Sequence, residues 1–203
     1  MFFSIRPLPS IVLQFSVPLV LSIVCFVVPA WADFQAGMDA NNREDYAAAL
    51  REWRPLAEKG DALAQYHLGV LYRKGRGVPQ DDVQARKWYD KAAVQGHAKA
   101  QYNLGTLYYN GEGVPKDYKQ ALRWFRLAAD QGEAVAQTKI AIMYEDAQGV
   151  PHDLVQAYKW YSLAITSGDK PATLLRNTLA DHMTEAQIAE AKKLAQEWKP
   201  KGK

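Results

Sequence analysis

The 203-residue chain has one cysteine, Cys25, and nothing for it to pair with, so an internal disulfide is excluded in any compartment. Glycine and proline are sparse, at 13 and 10 residues, which excludes collagen-like and Pro/Gly-rich disordered character. Charge of one sign is missing too. Lys and Arg number 25 against 22 Asp and Glu, and a formal +3 is too small an excess for bulk electrostatics to favour nucleic acid or an acidic membrane surface. Only one long apolar run occurs, from Ile11 to Val28, so polytopic membrane character is excluded. The remainder, 48% hydrophobic and 23% charged overall, is the composition of a packed chain.

The apolar run reads as a signal peptide. Arg6 is the only charge before Asp33, the densest apolar part is Leu19 to Val28, and Ala30-Trp31-Ala32 sets small residues where a signal peptidase needs them. Cleavage is predicted between Ala32 and Asp33, and with it the protein loses any stable membrane anchor. Gln14, Ser16, Pro18 and Ser22 interrupt the run and disfavour an uncleaved span. Val24 is bulky where a lipoprotein signal needs a small residue, which makes Cys25 a bystander. The expected location is periplasmic or secreted, and stability must come from packing alone.

Beyond the leader the sequence repeats every thirty-six residues without gaps. Gly60, Gly96, Gly132 and Gly168 keep that step, as do Tyr72, Tyr108 and Tyr144, and Pro79, Pro115 and Pro151. Within one unit Ala64, Leu68, Leu71 and Tyr72 have helical spacing, and so do Ala85, Trp88, Tyr89, Ala92 and Ala93. Each unit is therefore two helices. Gly75-Arg76-Gly77 ends the first and Val78-Pro79 prevents its continuation. Asp81, Asp117 and Asp153 stand as N-caps of the second, with Gln84, Gln120 and Gln156 three residues on as in a capping box. Gly69 and Gly105 make room for close approach, and Trp88, Trp124 and Trp160 are expected to bury an indole between helices.

These features predict an all-α architecture, a right-handed solenoid of helix-turn-helix repeats. Its expected parts are a signal peptide over 1–32, a degenerate helix pair over 33–59, three repeats over 60–168, and capping helices with a basic tail over 169–203. Thr184 and Gln187 cap the last helix.

The run Ala64-Gln65-Tyr66-His67-Leu68-Gly69-Val70-Leu71-Tyr72, with Gly75-Arg76-Gly77-Val78-Pro79 and then Asp81, Ala85, Trp88, Tyr89, Ala92, Ala93 and Gly96, resembles the Sel-one-like repeat family. This family is related to the tetratricopeptide repeat. In the third copy Thr138, Ala141 and Ala147 depart from Tyr102, Gly105 and Gly111. The resemblance implies an adaptor or scaffold that binds proteins or peptides, with no cofactor, in the bacterial cell envelope. A structural subunit of an envelope secretion complex is one alternative. A cell-wall or β-lactam-associated hydrolase is the other, since a cysteine-rich branch of the family is linked to β-lactams. That branch carries a disulfide in each repeat. Here Ser162 and Ser167 are the only serines after the leader, and neither has the Lys three residues on that a serine β-lactamase needs.

No motif for catalysis or metal binding emerges. His67, His97, His152 and His182 are dispersed without ligand spacing, and Gly75-Arg76-Gly77 follows a helix rather than a strand. The expected protein is not an enzyme. Partner specificity is instead expected where the repeat does not repeat. With Leu68 and Tyr72 inward, the other side of each first helix carries Tyr66, Val70 and Arg73, then Tyr102, Thr106 and Tyr109, then Thr138, Ile142 and Glu145. In a solenoid these line the concave surface and form the candidate partner-binding groove. Packing of the tyrosines against the next unit is the competing use of the same residues.

Overall fold

The computed structural model describes residues 30–200. The predicted leader therefore lies, but for its last three residues, outside the described part. Ten helices and no strand occur among the described residues: α1 (Ala30–Asn42), α2 (Tyr46–Glu58), α3 (Ala62–Lys74), α4 (Asp82–Val94), α5 (Ala98–Asn110), α6 (Tyr118–Asp130), α7 (Ala134–Glu145), α8 (Leu154–Thr166), α9 (Ala172–Ala180) and α10 (Glu185–Glu197). Each packs on its neighbours in sequence from α1 to α9, so the pairs α3–α4, α5–α6 and α7–α8 stack one behind another as an α-solenoid.

The N-caps between helices act as the spacing predicts: Asp81, Asp117 and Asp153 accept from the backbone N–H groups of Gln84, Gln120 and Gln156. The reciprocal glutamine arm expected there is not made, and the full capping box forms at Thr184 and Gln187 instead. Helix α4 closes by a Schellman pair of bonds, Gly96 N–H to Ala93 O at 3.0 Å and His97 N–H to Ala92 O at 3.1 Å, and α6 and α8 close likewise at Gly132 and Gly168. The two glycines of the Gly75-Arg76-Gly77 loop have separate tasks. Gly75 takes the left-handed conformation (φ 63°) that caps α3. Gly77 seats its backbone on the start of α2, where a Cβ would come within 2.7 Å of the Tyr46 carbonyl carbon. Gly113 repeats this contact against Asp82 of α4.

The core is itself periodic. Ala64, Leu68 and Leu71 are buried, as are Ala100, Leu104 and Leu107, and Ala136, Ile140 and Met143. Facing them is a column of rings, Trp53, Tyr89, Phe125 and Tyr161, all 0–1% exposed. The expected tryptophan column is buried at Trp124 and Trp160, which are 8% and 6% exposed, whereas Trp88 is only half-buried; the fully buried rings Tyr89, Phe125 and Tyr161 stand one residue after the tryptophans. Gly69 and Gly105 do make room, but for the ring column. A Cβ on Gly69 would lie 2.5 Å from Tyr89, and one on Gly105 2.7 Å from Phe125. The phase of the first helix shifts in the same sense: Leu71 is fully buried, whereas Tyr72 is half-buried and accepts a hydrogen bond from Arg54 through its hydroxyl at 3.0 Å.

Candidate functional site

The nine candidate residues are all half-buried, each with one side in the array and one toward solvent. The structure brings the first three together. Tyr66, Val70 and Arg73 line a hollow of about 310 Å³ with Lys74, Tyr89 and Asn103. On the other side of Tyr66 lies a hollow of about 460 Å³, bounded by Met38 of α1, Leu63 and His67 of α3, His97 and Lys99 at the start of α5, and Glu133 at the start of α7. Residues from four successive odd-numbered helices, or the caps before them, thus border one cavity.

Tyr66 is held between the hollows by its neighbours. Its ring stacks on His97 with centroids 4.7 Å apart and meets His67 edge-on at 5.1 Å. Burial raises the Tyr66 pKa, so its hydroxyl stays protonated. The histidines are shifted the other way. Burial foremost, with the His97 ring and the Lys99 ammonium close by, lowers the His67 pKa to about 4. The His97 pKa is lowered by burial and Lys99, and its Nδ1 accepts from Ala100 N–H as the N-cap of α5, a contact that needs the neutral ring.

The other six candidate residues are drawn into contacts within and between units. Arg73 Nη2 donates to Glu112 at 2.9 Å, and one period later Tyr109 donates its hydroxyl to Gln148 Oε1 at 2.6 Å, so the same two positions latch each unit to the next loop. Tyr102 packs on Phe125 at 5.8 Å, and Thr106 donates to the Tyr102 carbonyl at 3.0 Å. Thr138 bonds Asp169, Ile142 packs on the C-terminal core, and Glu145 accepts from the Tyr161 hydroxyl at 2.7 Å. Tyr66 and Arg73 therefore both line a hollow and pack against the next unit, whereas Tyr109 borders neither hollow and serves the inter-unit contact.

Three features are not predicted from the sequence. His67, His97 and Asn103 complete the hollows, although nothing in the repeat pattern sets them apart. Gln65, Gln101 and Gln137 are buried, and each donates from Nε2 to the carbonyl eight residues earlier, at Ala57, Ala93 and Ala129. The signal was present, for a glutamine recurring every thirty-six residues beside the buried Ala64, Ala100 and Ala136 is a polar column inside an apolar face. The third is a cleft at the C-terminal end, described below.

This arrangement defines a class, an α-solenoid of thirty-six-residue helical hairpins. The Sel1 repeat matches residues 62–97, 98–133 and 134–169, and the chain belongs to the Sel1 repeat family. It is similar to a Sel1 repeat protein from Oxalobacter formigenes, with 32% identity and a TM-score of 0.70 over 76% of this chain and 63% of that one. It is also similar to a protective antigen of uropathogenic Escherichia coli that displays an SLR fold, with 30% identity and a TM-score of 0.57 over 82% of this chain and 44% of that one. The chain thus spans less than two thirds of either relative. No curated protein matches it. Proteins of this family are helical-repeat scaffolds for protein–protein interaction and are generally non-catalytic.

Proposed function

We propose that the protein is an exported bacterial adaptor, periplasmic or secreted, that holds a protein or peptide against the inner side of its odd-numbered helices and catalyses nothing. The observation that carries this reading is the pair of hollows flanking Tyr66, about 460 and 310 Å³, on the side where the repeat varies in sequence. A rigid ring fixed between two cavities, with cations Arg73, Lys74 and Lys99 around it, offers an anchor surface of the type that dominates protein recognition. The scaffold role of the family and the signal-like leader support the rest.

The test is capture from an envelope extract with the wild type, with Val70→Glu/Lys74→Glu in the smaller hollow, and with Val94→Arg on the exposed end of α4. A partner lost only in the first variant, with circular dichroism unchanged, is the expected result. Retention of every partner by that variant would sink the assignment of this face. Turnover of nitrocefin or peptidoglycan fragments by the purified protein would overturn the non-catalytic reading. N-terminal sequencing of the envelope form, expected to begin at Asp33, tests export.

A further inference from the structure

The far end of the array holds a roomier cleft that the adaptor reading does not use. Helix α9 has nine residues where α1–α8 have twelve or thirteen, and α10 packs directly on α8, a contact between even-numbered helices made closely at this end. Beside that seam a cleft of about 590 Å³ opens. Its apolar walls are Tyr158, Leu163 and Ile165 on one side and Ala195 and Trp198 on the other. The size and the largely hydrocarbon lining suit a small organic guest rather than a bare ion.

Its charged groups are of one sign. Arg176 and Lys192 line the cleft and no acidic residue does. Neither cation forms an ion pair among the described residues. Arg176 lies with its guanidinium carbon 5.6 Å from the centroid of the Tyr158 ring and donates from Nη2 to Asn177 Oδ1 at 3.1 Å. Its Nε is shielded from solvent and has no hydrogen-bond partner. Two lining hydroxyls already donate elsewhere, Ser162 to the Tyr158 carbonyl at 2.9 Å and Thr166 to the Ser162 carbonyl at 3.0 Å. The charged donors available to a guest are therefore the guanidinium and the ammonium. A planar carboxylate matches the fork of a guanidinium.

We propose that this cleft binds a small amphipathic carboxylate, its acid group on Arg176 with Lys192 beside it and an aromatic or branched hydrocarbon body against Trp198, Tyr158 and Leu163. A singly charged head is favoured over a phosphate because the walls are mostly hydrocarbon, and desolvating a dianion there costs more than desolvating a monoanion. The same chemistry is presented by a free organic acid and by the C-terminal residue of a peptide. The site is independent of the face on the odd-numbered helices.

The test is titration of the full protein, read by calorimetry and by the indole N–H resonance of Trp198. The probes are 3-phenylpropanoate, its carboxamide, phenyl phosphate and N-acetyl-alanyl-phenylalanine. The carboxylates are expected to shift the Trp198 resonance and to bind about tenfold or more tightly than the amide. Arg176→Gln and Lys192→Gln are each expected to weaken them several-fold, and Ala195→Phe to abolish binding by filling the cleft. Tighter binding of the acetylated dipeptide than of 3-phenylpropanoate identifies a chain end as the guest, and the reverse order identifies a free acid. Equal affinity for acid and amide overturns the proposal, and so does preference for the phosphate. Lack of any Trp198 shift at about 10 mM ligand, far above the range of useful affinity, does the same. Should Arg176→Gln fail to fold, the exposed Lys192 variant decides, and undiminished carboxylate affinity there counts against the site.

Discussion

Gln131 donates from Nε2 to Gln101 Oε1 at 2.8 Å, repeating thirty-six residues later the bond by which Gln95 donates to Gln65 at 2.7 Å. The third copy lacks its donor. Ser167 stands where Gln95 and Gln131 stand, with the same backbone conformation at the end of its helix, and Gln137 Oε1 is buried without a partner. A buried acceptor left unpaired costs about 1–3 kcal/mol. Ser167→Gln is expected to raise the unfolding free energy by about 1 kcal/mol in urea titration. Gln131→Ala, which strips Gln101 of the same bond, is expected to lower it by a similar amount. A neutral or destabilising Ser167→Gln would show that the acceptor is already satisfied by water.

The fit of Gly69 against Tyr89 and of Gly105 against Phe125 leaves no space for a methyl group. Gly105→Ala is expected to cost about 1–3 kcal/mol through overpacking, despite the better helix propensity of alanine. Phe125→Ala removes a ring with no exposed surface and is expected to cost about 3–5 kcal/mol, whereas Trp88→Ala, at a half-buried position, should cost less than half of that. Thermal and urea denaturation of the three variants would give the order, and a Trp88 loss equal to that of Phe125 would put the indole back in the core.

Ala147 sits at φ 57° in the loop where the first two units have Gly75 and Gly111. A side chain in the left-handed region costs about 1–2 kcal/mol. Ala147→Gly is therefore expected to stabilise the protein, by about 1 kcal/mol once the extra freedom of glycine in the unfolded chain is counted. A loss of stability would mean that the Ala147 methyl makes a contact that outweighs the strain.

The depressed pKa of His67 makes stability depend on pH. The unfolded chain takes up a proton near 6.5, while the folded chain resists until about 4, so the unfolded state binds more protons across that window. Stability is complete above about pH 6.5 and is lost progressively as the pH falls toward 4. His97, also depressed, acts in the same direction. The His67 contribution is on the order of 1–2 kcal/mol after allowance for its remaining solvent contact. His67→Gln is expected to flatten the pH dependence of the urea midpoint between pH 7 and 4. An unchanged slope would mean that the ring is as free to protonate in the fold as out of it.

The sequence made the repeat legible because backbone demands and capping chemistry are local. Asp81 accepts from Gln84 N–H three residues away, and Gly96 closes the helix that contains Ala92 and Ala93. Which aromatic faces inward was less legible, because Trp88 and Tyr89 are adjacent and differ by only about a hundred degrees around the helix. The opposite helix decides it, since Gly69 lies under Tyr89. For the candidate groove, the repeat pattern singled out a set of variable residues but not the cavities beside them. The hollows beside Tyr66 depend on Met38, Asn103 and Glu133, which come from helices far apart in sequence and meet only in the folded array. The C-terminal cleft lies where α10 packs on α8, a tertiary contact that no local pattern announces.

The joints between units are interchangeable parts. Gln95 on Gln65 and Gln131 on Gln101 are the same fitting, as are Gly77 on Tyr46 and Gly113 on Asp82. A duplicate of residues 62–97 spliced in after His97 would meet compatible fittings at both ends, so a gene could lengthen this array by a whole unit without redesigning either terminus.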